Sequence, residues 1–212
     1  MSSFRSSLLS LDEGKKLIQL ARAAIETYLR EGRQIEVPKD IPSSLMEKRG
    51  VFVSIHSYPD YELRGCIGLP YPTMELGKAV IDAAIAAAFE DWRFQSIEEK
   101  ELDRIVIELS ILTEPVKISA KDPHDYLKAI VVGKHGLIIK AGSYSGLLLP
   151  QVPVEQGWNE EEYLSGLCAK AGLPSDYWQS QIGGYELYMF EAQIFTEEKP
   201  GGDINEKKLK TY

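Results

Sequence analysis

One short segment contains the residue types of this chain that could do chemistry, and it reads Leu63-Arg64-Gly65-Cys66-Ile67-Gly68. A cation beside a thiol favours the thiolate, the reactive form, so Arg64 makes Cys66 a tentative catalytic nucleophile. Gly65 and Gly68 lack a Cβ and allow the main chain to approach a bound group closely, with backbone amides as donors to an anion. The same pattern also fits a cysteine packed as a small hydrophobe in a strand, with glycines at a bulge or bend.

Polar residues further along the chain extend this candidate site. Asp91 and Arg93 directly follow a predicted helix, and they either pair with each other or present a charged fork to a ligand. His135 lies in a glycine-flanked turn, where it also fits an ordinary turn residue, and Gln151 is a polar residue just past a buried run. The predicted binding residues are Arg64, Gly65, Gly68, Asp91, Arg93, His135 and Gln151, with Cys66 as the tentative catalytic residue.

The composition of the 212 residues is that of an ordinary globular protein, with 44% hydrophobic and 26% charged residues. A formal net charge of -8 opposes binding to a nucleic-acid backbone, which needs a basic face. We recognise neither a secretory leader nor an apolar run long enough to cross a bilayer. The sequence therefore predicts a cytoplasmic protein without nucleic-acid or membrane partners.

The spacing of cysteine and histidine does not match a metal site. Cys66 and Cys168 lie far apart, and neither belongs to a Cys-x-x-Cys pair or a Cys/His cluster. The chain also lacks a phosphate-binding loop and a dinucleotide-binding glycine motif. We therefore predict reduced thiols, with neither a metal nor a cofactor.

Capping patterns and periodicity predict the main helices. A capping box at Ser10-Leu11-Asp12-Glu13 opens an amphipathic helix that ends at Gly32. An alanine-rich helix precedes Asp91, and its small side chains allow a neighbouring element to pack closely. A second box at Asn159-Glu160-Glu161-Glu162 opens a helix with Cys168 on its apolar stripe, so this cysteine is predicted to lie in the core.

Alternating apolar residues predict strands that pair as hairpins. In the first hairpin, simple pairing places Val53 opposite Cys66 and His56 on the other face, unless a bulge at Gly65 shifts the register. A second hairpin is predicted around Gly133-Lys134-His135-Gly136. Hairpins with helices before, between and after them indicate an α+β protein with a mainly antiparallel sheet.

The motifs also occur in an order that is typical of one family. They are Leu63-Arg64-Gly65-Cys66-Ile67-Gly68, Asp91-Trp92-Arg93-Phe94, His135-Gly136-Leu137, Leu149-Pro150-Gln151-Val152 and Cys168-Ala169-Lys170-Ala171-Gly172-Leu173. With them the chain resembles the AMMECR-type domain family, named from the Alport and midface hypoplasia chromosomal region, in a stand-alone archaeal or bacterial form. The resemblance runs from the first helix to about Phe195.

This resemblance implies a single domain over residues 1–200, with two sub-lobes around a cleft and the larger lobe built from both chain ends. The motif residues are implied to lie near that cleft. Residues 201–212 are predicted to form a flexible tail, since Gly201-Gly202 precedes a lysine-rich end. The family has no settled reaction, but prokaryotic members often occur beside, or fused to, Memo-like and radical-SAM proteins, which are the implied partners.

Two functions stay open at this point. In the first, the chain binds a small anion or a partner at the Arg-Gly-Cys-Ile-Gly segment, which requires neither a base nor an ionised thiol. In the second, Cys66 is the nucleophile of a thiol-dependent enzyme, with assistance from Arg64, Arg93 and His135. The second function needs a base within hydrogen-bond reach of the thiol, and regular pairing would direct His56 away from it.

Overall fold

The computed structural model describes residues 8–180 and 182–211, and the chain divides into two compact units. The larger unit contains residues 8–114 and Gln193–Lys207, and the smaller unit contains Pro115–Ala192 and residues 208–211. Both units combine helices with antiparallel strands, so the predicted α+β class is confirmed.

The helices and strands of the described residues follow one another with short connections. The helices are α1 (Leu11–Glu31), α2 (Leu76–Phe89), α3 (His124–Ala129), α4 (Gln151–Gln156) and α5 (Glu160–Lys170). The strands are β1 (Gly50–Ser57), β2 (Leu63–Leu69), β3 (Ile105–Leu112), β4 (Val116–Lys117), β5 (His135–Ala141), β6 (Tyr144–Leu148), β7 (Glu186–Glu197) and β8 (Ile204–Lys207). Among these residues, each helix is too short or too polar to cross a membrane.

Helices α1 and α2 cover one face of the sheet in the larger unit. The capping box of α1 is confirmed, because the Glu13 amide donates to Ser10 Oγ, and the helix ends at Gly32 with a φ of 66°. The buried side of α2 consists largely of alanine. A Cβ at Gly65 would collide with the carbonyl oxygen of Ala87, so this glycine allows α2 to pack directly against β2.

The sheet of the larger unit has the order β2-β1-β3, followed by the C-terminal part of β7, which also pairs with β8. Strand β2 therefore forms an edge of the sheet. Val51, Val53 and Ile55 of β1 are fully buried against the helices. Ser54 and His56 alternate with them and point to the opposite face. The sheet thus separates an apolar helix-facing side from a side that carries polar residues.

In the smaller unit, β5 pairs with β6 and with the N-terminal part of β7, and β4 also pairs with β7. Helix α5 contributes Tyr163 and Cys168 to a core that includes Trp178, so the predicted core position of Cys168 is confirmed. The Tyr163 hydroxyl group lies 3.1 Å from the carbonyl oxygens of both His135 and Leu148, and these two acceptors share its single proton. This side chain therefore connects the start of β5 to the end of β6.

Two other parts of the chain differ from the sequence predictions. The hairpin predicted around His135 is wrong, because residues 131–134 form a turn and His135 is the first residue of β5, which pairs with β6. The main chain at Gly133 has a φ of 83°, which ends the apolar run before it can become a strand. Instead of a flexible tail over residues 201–212, Ile204–Lys207 form β8 and pair with β7.

Candidate functional site

Cys66 lies on edge strand β2, and its neighbour on β1 is Ser54. The predicted pairing with Val53 is wrong because the register shifts beside Arg64, which is an extra residue in β2. As a result, Cys66 projects to the same face as Ser54 and His56, rather than away from His56. The Ser54 hydroxyl group donates to Cys66 Sγ at 3.2 Å, whereas His56 Nδ1 lies 3.3 Å from the carbonyl oxygen of Tyr61.

The Asp91 carboxylate holds the outer edge of β2 at Cys66. The backbone amide of Cys66 donates to Asp91 Oδ2 at 2.9 Å, and Arg93 Nη2 donates to the Cys66 carbonyl oxygen at 3.2 Å. Asp91 and Arg93 also form a two-point ion pair, with Nε–Oδ1 at 2.9 Å and Nη2–Oδ2 at 2.7 Å. The pair therefore satisfies the peptide groups of Cys66 as a neighbouring strand would.

Arg64 stabilises the segment that follows this pair. Its guanidinium group pairs with Glu101 at 2.9 Å and donates to the carbonyl oxygens of Gln95 and Ser96 at 2.7 and 3.3 Å. Arg93, rather than Arg64, is the cation whose charge acts on the Cys66 thiol. Both motif arginines are therefore bound to carboxylates of this chain.

The environment of Cys66 favours the neutral thiol. Burial raises the pKa of Cys66 above its ordinary value, and the nearby carboxylates of Asp91 and Glu108 act in the same direction. The hydrogen bond from Ser54 and the charge of Arg93 oppose this rise in the pKa but do not reverse it. The activated thiolate that the sequence suggested is thus not the preferred form in this structure.

The two glycines of the motif allow close approach by other parts of the chain. Gly65 lies against the backbone of α2, and a Cβ at Gly68 would collide with the ring of Phe52. Neither glycine has a positive φ. The amide of Cys66, one of the donors expected for an anion, is bound to Asp91. These glycines are explained by packing within the larger unit.

His135 and Gln151 belong to the smaller unit, and both are buried. His135 Nδ1 accepts a hydrogen bond from the Val131 amide at 3.1 Å, which places the proton of the neutral ring on Nε2. Burial, together with the charge of Lys134, lowers the pKa of His135 and favours this neutral form. Gln151 is the first residue of α4, just after Pro150.

Sequence reasoning did not single out Trp92, which is 90% exposed. It also missed Ser54 beside the thiol, Glu101 on Arg64, and Glu108, which accepts from Lys207 Nζ at 2.9 Å. One signal for Trp92 was available in the sequence: if the two charged residues beside it pair with each other, the residue between them must point away. The other three depend on register and on long-range contacts.

The part of the chain that the structure describes contains no cluster of three or more His, Cys, Asp or Glu side chains that could hold a metal ion. These residues form an α+β structure with an edge strand, a partly buried cysteine and two arginines fixed by internal ion pairs. The sequence profile of the AMMECR1 family matches residues 18–195. The chain belongs to this family.

Three proteins similar to this chain are archaeal and match it over nearly its whole length. Protein MJ0810 of Methanocaldococcus jannaschii is 52% identical over 202 residues, which is 95% of this chain and 98% of that protein. Protein MK0488 of Methanopyrus kandleri is 50% identical over 95% of this chain and 96% of its own length. The crystal structure of the uncharacterized protein PH0010 from Pyrococcus horikoshii has a TM-score of 0.90, with 49% identity over 93% of this chain and 98% of that chain.

Proposed function

We propose that this chain is a binding protein that recognises a partner polypeptide at the outer edge of β2. The observation that carries the proposal is Trp92, which is 90% exposed while the residues on both sides of it are fixed to Cys66 by hydrogen bonds. Large aromatic residues on rigid supports are typical anchors of protein interfaces, because they bury much area at little entropic cost. Trp92 is thus the residue expected to enter the partner.

In this proposal, Arg64, Asp91 and Arg93 are positioning residues. Because both guanidinium groups already pair with carboxylates, we favour a partner polypeptide over a free small anion as the ligand. Gly65 and Gly68 allow close packing of β2 against α2 and against the ring of Phe52. His135 and Gln151 stay proposed binding residues of the smaller unit, and the cleft between two lobes stays an expectation from the family resemblance.

A thiol-dependent enzyme with Cys66 as its nucleophile is the second candidate. Its support is the partly buried Cys66, whose Sγ atom accepts a hydrogen bond from Ser54 at 3.2 Å. The raised pKa of Cys66 weighs against it, because only the thiolate attacks efficiently.

Memo-like and radical-SAM proteins are the first partners to test, since the family resemblance implies them. The two free cysteines are in keeping with the reducing, cytoplasmic location expected from the sequence. We therefore propose that the partner is met in the cytoplasm.

The test is site-specific photo-crosslinking in living cells, with a photoreactive phenylalanine analogue at position 92. We expect one discrete crosslinked partner, identified by mass spectrometry. Once that partner is purified, Trp92→Ala should weaken its binding roughly tenfold, as expected for an interface anchor.

The matched control places the analogue at Tyr144, an aromatic residue of the smaller unit that is 54% exposed. If position 92 gives no more crosslinking than position 144, or if Trp92→Ala binds the purified partner as well as the wild type does, the proposal is overturned.

A further inference from the structure

A groove of about 420 Å³ lies on the helix-facing side of β2. Cys66 Sγ points to the opposite side of the sheet, so the groove is separate from the thiol. Its apolar floor is formed by Ile67 and Leu69 of β2, Met74, and the α2 residues Ile85 and Ala86. The groove therefore offers the apolar surface that a bound side chain needs.

The two charged residues that line this groove are both acidic. Asp82 and Glu90 are the charged residues of its lining. Asp82 lies near the middle of α2, whereas Glu90 is the C-cap residue of this helix, where the helix dipole adds partial negative charge. Lys78 lies 3.6 Å from Asp82 and neutralises part of that charge. Among residues 8–180 and 182–211, Glu90 has no ion-pair partner, so its charge is available to a ligand.

The edge strand beside the groove can also bind a main chain. Because the amide and carbonyl groups of Cys66 both point outward to Asp91 and Arg93, the same groups of Gly68, two residues further, also point away from β1. Gly68 has no side chain to obstruct an incoming backbone. The groove thus combines apolar, anionic and backbone recognition at one end of β2.

We infer that this groove binds an extended segment of a partner polypeptide that carries apolar and basic side chains on one face. The aliphatic part of a lysine or arginine lies along Ile67 and Met74, while its charged group reaches Glu90. The aromatic ring of Tyr28 also belongs to the lining, and we expect it to attract the same cation. The segment's backbone pairs with the outward groups of Gly68. This inference goes beyond the proposed function, because it concerns the helix-facing side of β2 and does not require Trp92 or Cys66.

The test uses a defined probe, a fluorescent peptide of sequence Lys-Thr-Leu-Thr-Lys-Thr-Leu, whose Lys and Leu side chains share one face when it is extended. Fluorescence anisotropy should show saturable binding to the wild-type chain that weakens as salt rises. A matched peptide with Glu in place of Lys should not bind. A peptide with Ser in place of Leu should bind at least roughly fivefold more weakly, since its apolar contacts are lost.

Two variants locate the binding. Glu90→Lys reverses an exposed charge and should weaken binding of the Lys-Leu peptide roughly fivefold to tenfold. Ala86→Trp should abolish binding of the peptide by filling the groove. The control Glu114→Lys makes the same charge change at an exposed residue outside the groove and should bind like the wild type. Thermal unfolding confirms that each variant is folded.

The inference is overturned if the wild type binds the Lys and Glu peptides equally, or if Glu90→Lys and Glu114→Lys have the same effect. Trp92→Ala should keep the peptide affinity of the wild type. The inference about the groove and the proposal about Trp92 can therefore be refuted independently of each other.

Discussion

Asp91 is the residue on which the conformation of the Cys66 edge depends most. It is 4% exposed, and it accepts hydrogen bonds from the Cys66 amide, the Arg93 amide and the Arg93 guanidinium group. The ion pair with Arg93, together with these amides, lowers the pKa of Asp91 to about 2. The ionised form is therefore strongly preferred in the folded chain.

This pKa predicts how the stability lost in Asp91→Asn depends on pH. The folded pKa of about 2 lies below the ordinary value of 3.8, so the carboxylate contributes stability above about pH 4 and loses it as the pH falls toward 2. We expect Asp91→Asn to reduce the free energy of unfolding by about 2 kcal/mol at neutral pH. The difference from the wild type should shrink as the pH falls from about 4 to about 2.

Urea unfolding of both proteins across this pH range measures the effect. Asp60→Asn, a change at an exposed turn residue, is the control and should change the free energy of unfolding little at any pH. A cost for Asp91→Asn that is independent of pH would show that the carboxylate charge is not what stabilises this edge.

At the scale of elements, the contact between β2 and α2 depends on Gly65. A Cβ at this position would collide with the backbone carbonyl of Ala87, which cannot move aside as a flexible side chain can. We expect Gly65→Ala to reduce the free energy of unfolding, measured by thermal or urea unfolding, by about 3 kcal/mol.

The comparison for Gly65→Ala is Gly142→Ala in the turn between β5 and β6. There the φ is 58° and a Cβ would meet no neighbour within 4 Å, so only backbone strain remains, at about 1 kcal/mol. Equal losses at the two positions would mean that the helix–strand contact is not close.

A second prediction at this scale concerns the segment after α2. Arg64 binds Glu101 and two carbonyl oxygens of this segment at once, and the single ammonium group of lysine cannot reproduce that fork. We expect Arg64→Lys to increase amide hydrogen exchange over residues 95–101 roughly tenfold, which corresponds to about 1.4 kcal/mol of local stability.

Arg30→Lys is the matched control for the exchange measurement. Arg30 pairs with Glu99 in the same segment, but this pair is exposed and contributes little. If Arg64→Lys leaves amide exchange over residues 95–101 unchanged, Arg64 does not stabilise this segment. That result would favour the prediction from the sequence that Arg64 binds a ligand.

At the scale of the whole molecule, the C-terminal strand connects distant parts of the larger unit. Ile204 is buried, β8 pairs with β7, and Lys207 lies 2.9 Å from the buried Glu108. Truncation after Pro200 should therefore lower the melting temperature by several degrees, roughly 5 °C or more, as expected for the loss of strand pairing and a buried ion-pair partner.

Lys207→Met separates the two contributions to this loss. It leaves the strand in place but removes the charge beside Glu108, and it should account for only part of the decrease in melting temperature. A truncated chain that melts at the wild-type temperature would restore the interpretation of residues 201–212 as a flexible tail.

Local sequence signals predicted much of this fold. The capping boxes that begin α1 and α5 are both present, because they depend on neighbouring residues alone. The spacing of Ser96 and Glu99 also predicts a capping box, and this prediction is wrong, because Glu98 and Glu101 form the box there. The hairpin predicted around Gly133 is wrong because the main chain there has a φ of 83°, so the residues before β5 form a turn instead of a strand.

The sequence identified residues of the candidate site but did not predict how they are arranged. The Arg-Gly-Cys segment and the Asp-Trp-Arg segment do meet, through Cys66, Asp91 and Arg93. Their roles depend on the extra residue Arg64, which changes the face to which Cys66 points. A sequence shows that a bulge is possible, but the pairing of two strands decides where it forms.

The measurement that tests the central claim most directly is the pH dependence of iodoacetamide labelling at Cys66 and Cys168, followed by mass spectrometry of the folded chain. If the edge of β2 is a binding surface with a neutral thiol, labelling of Cys66 should require a higher pH than labelling of a free cysteine, since burial raises the pKa of Cys66. Buried Cys168 should stay unlabelled until the chain unfolds. Rapid labelling of Cys66 at neutral pH or below would contradict this account and favour the thiol-dependent enzyme.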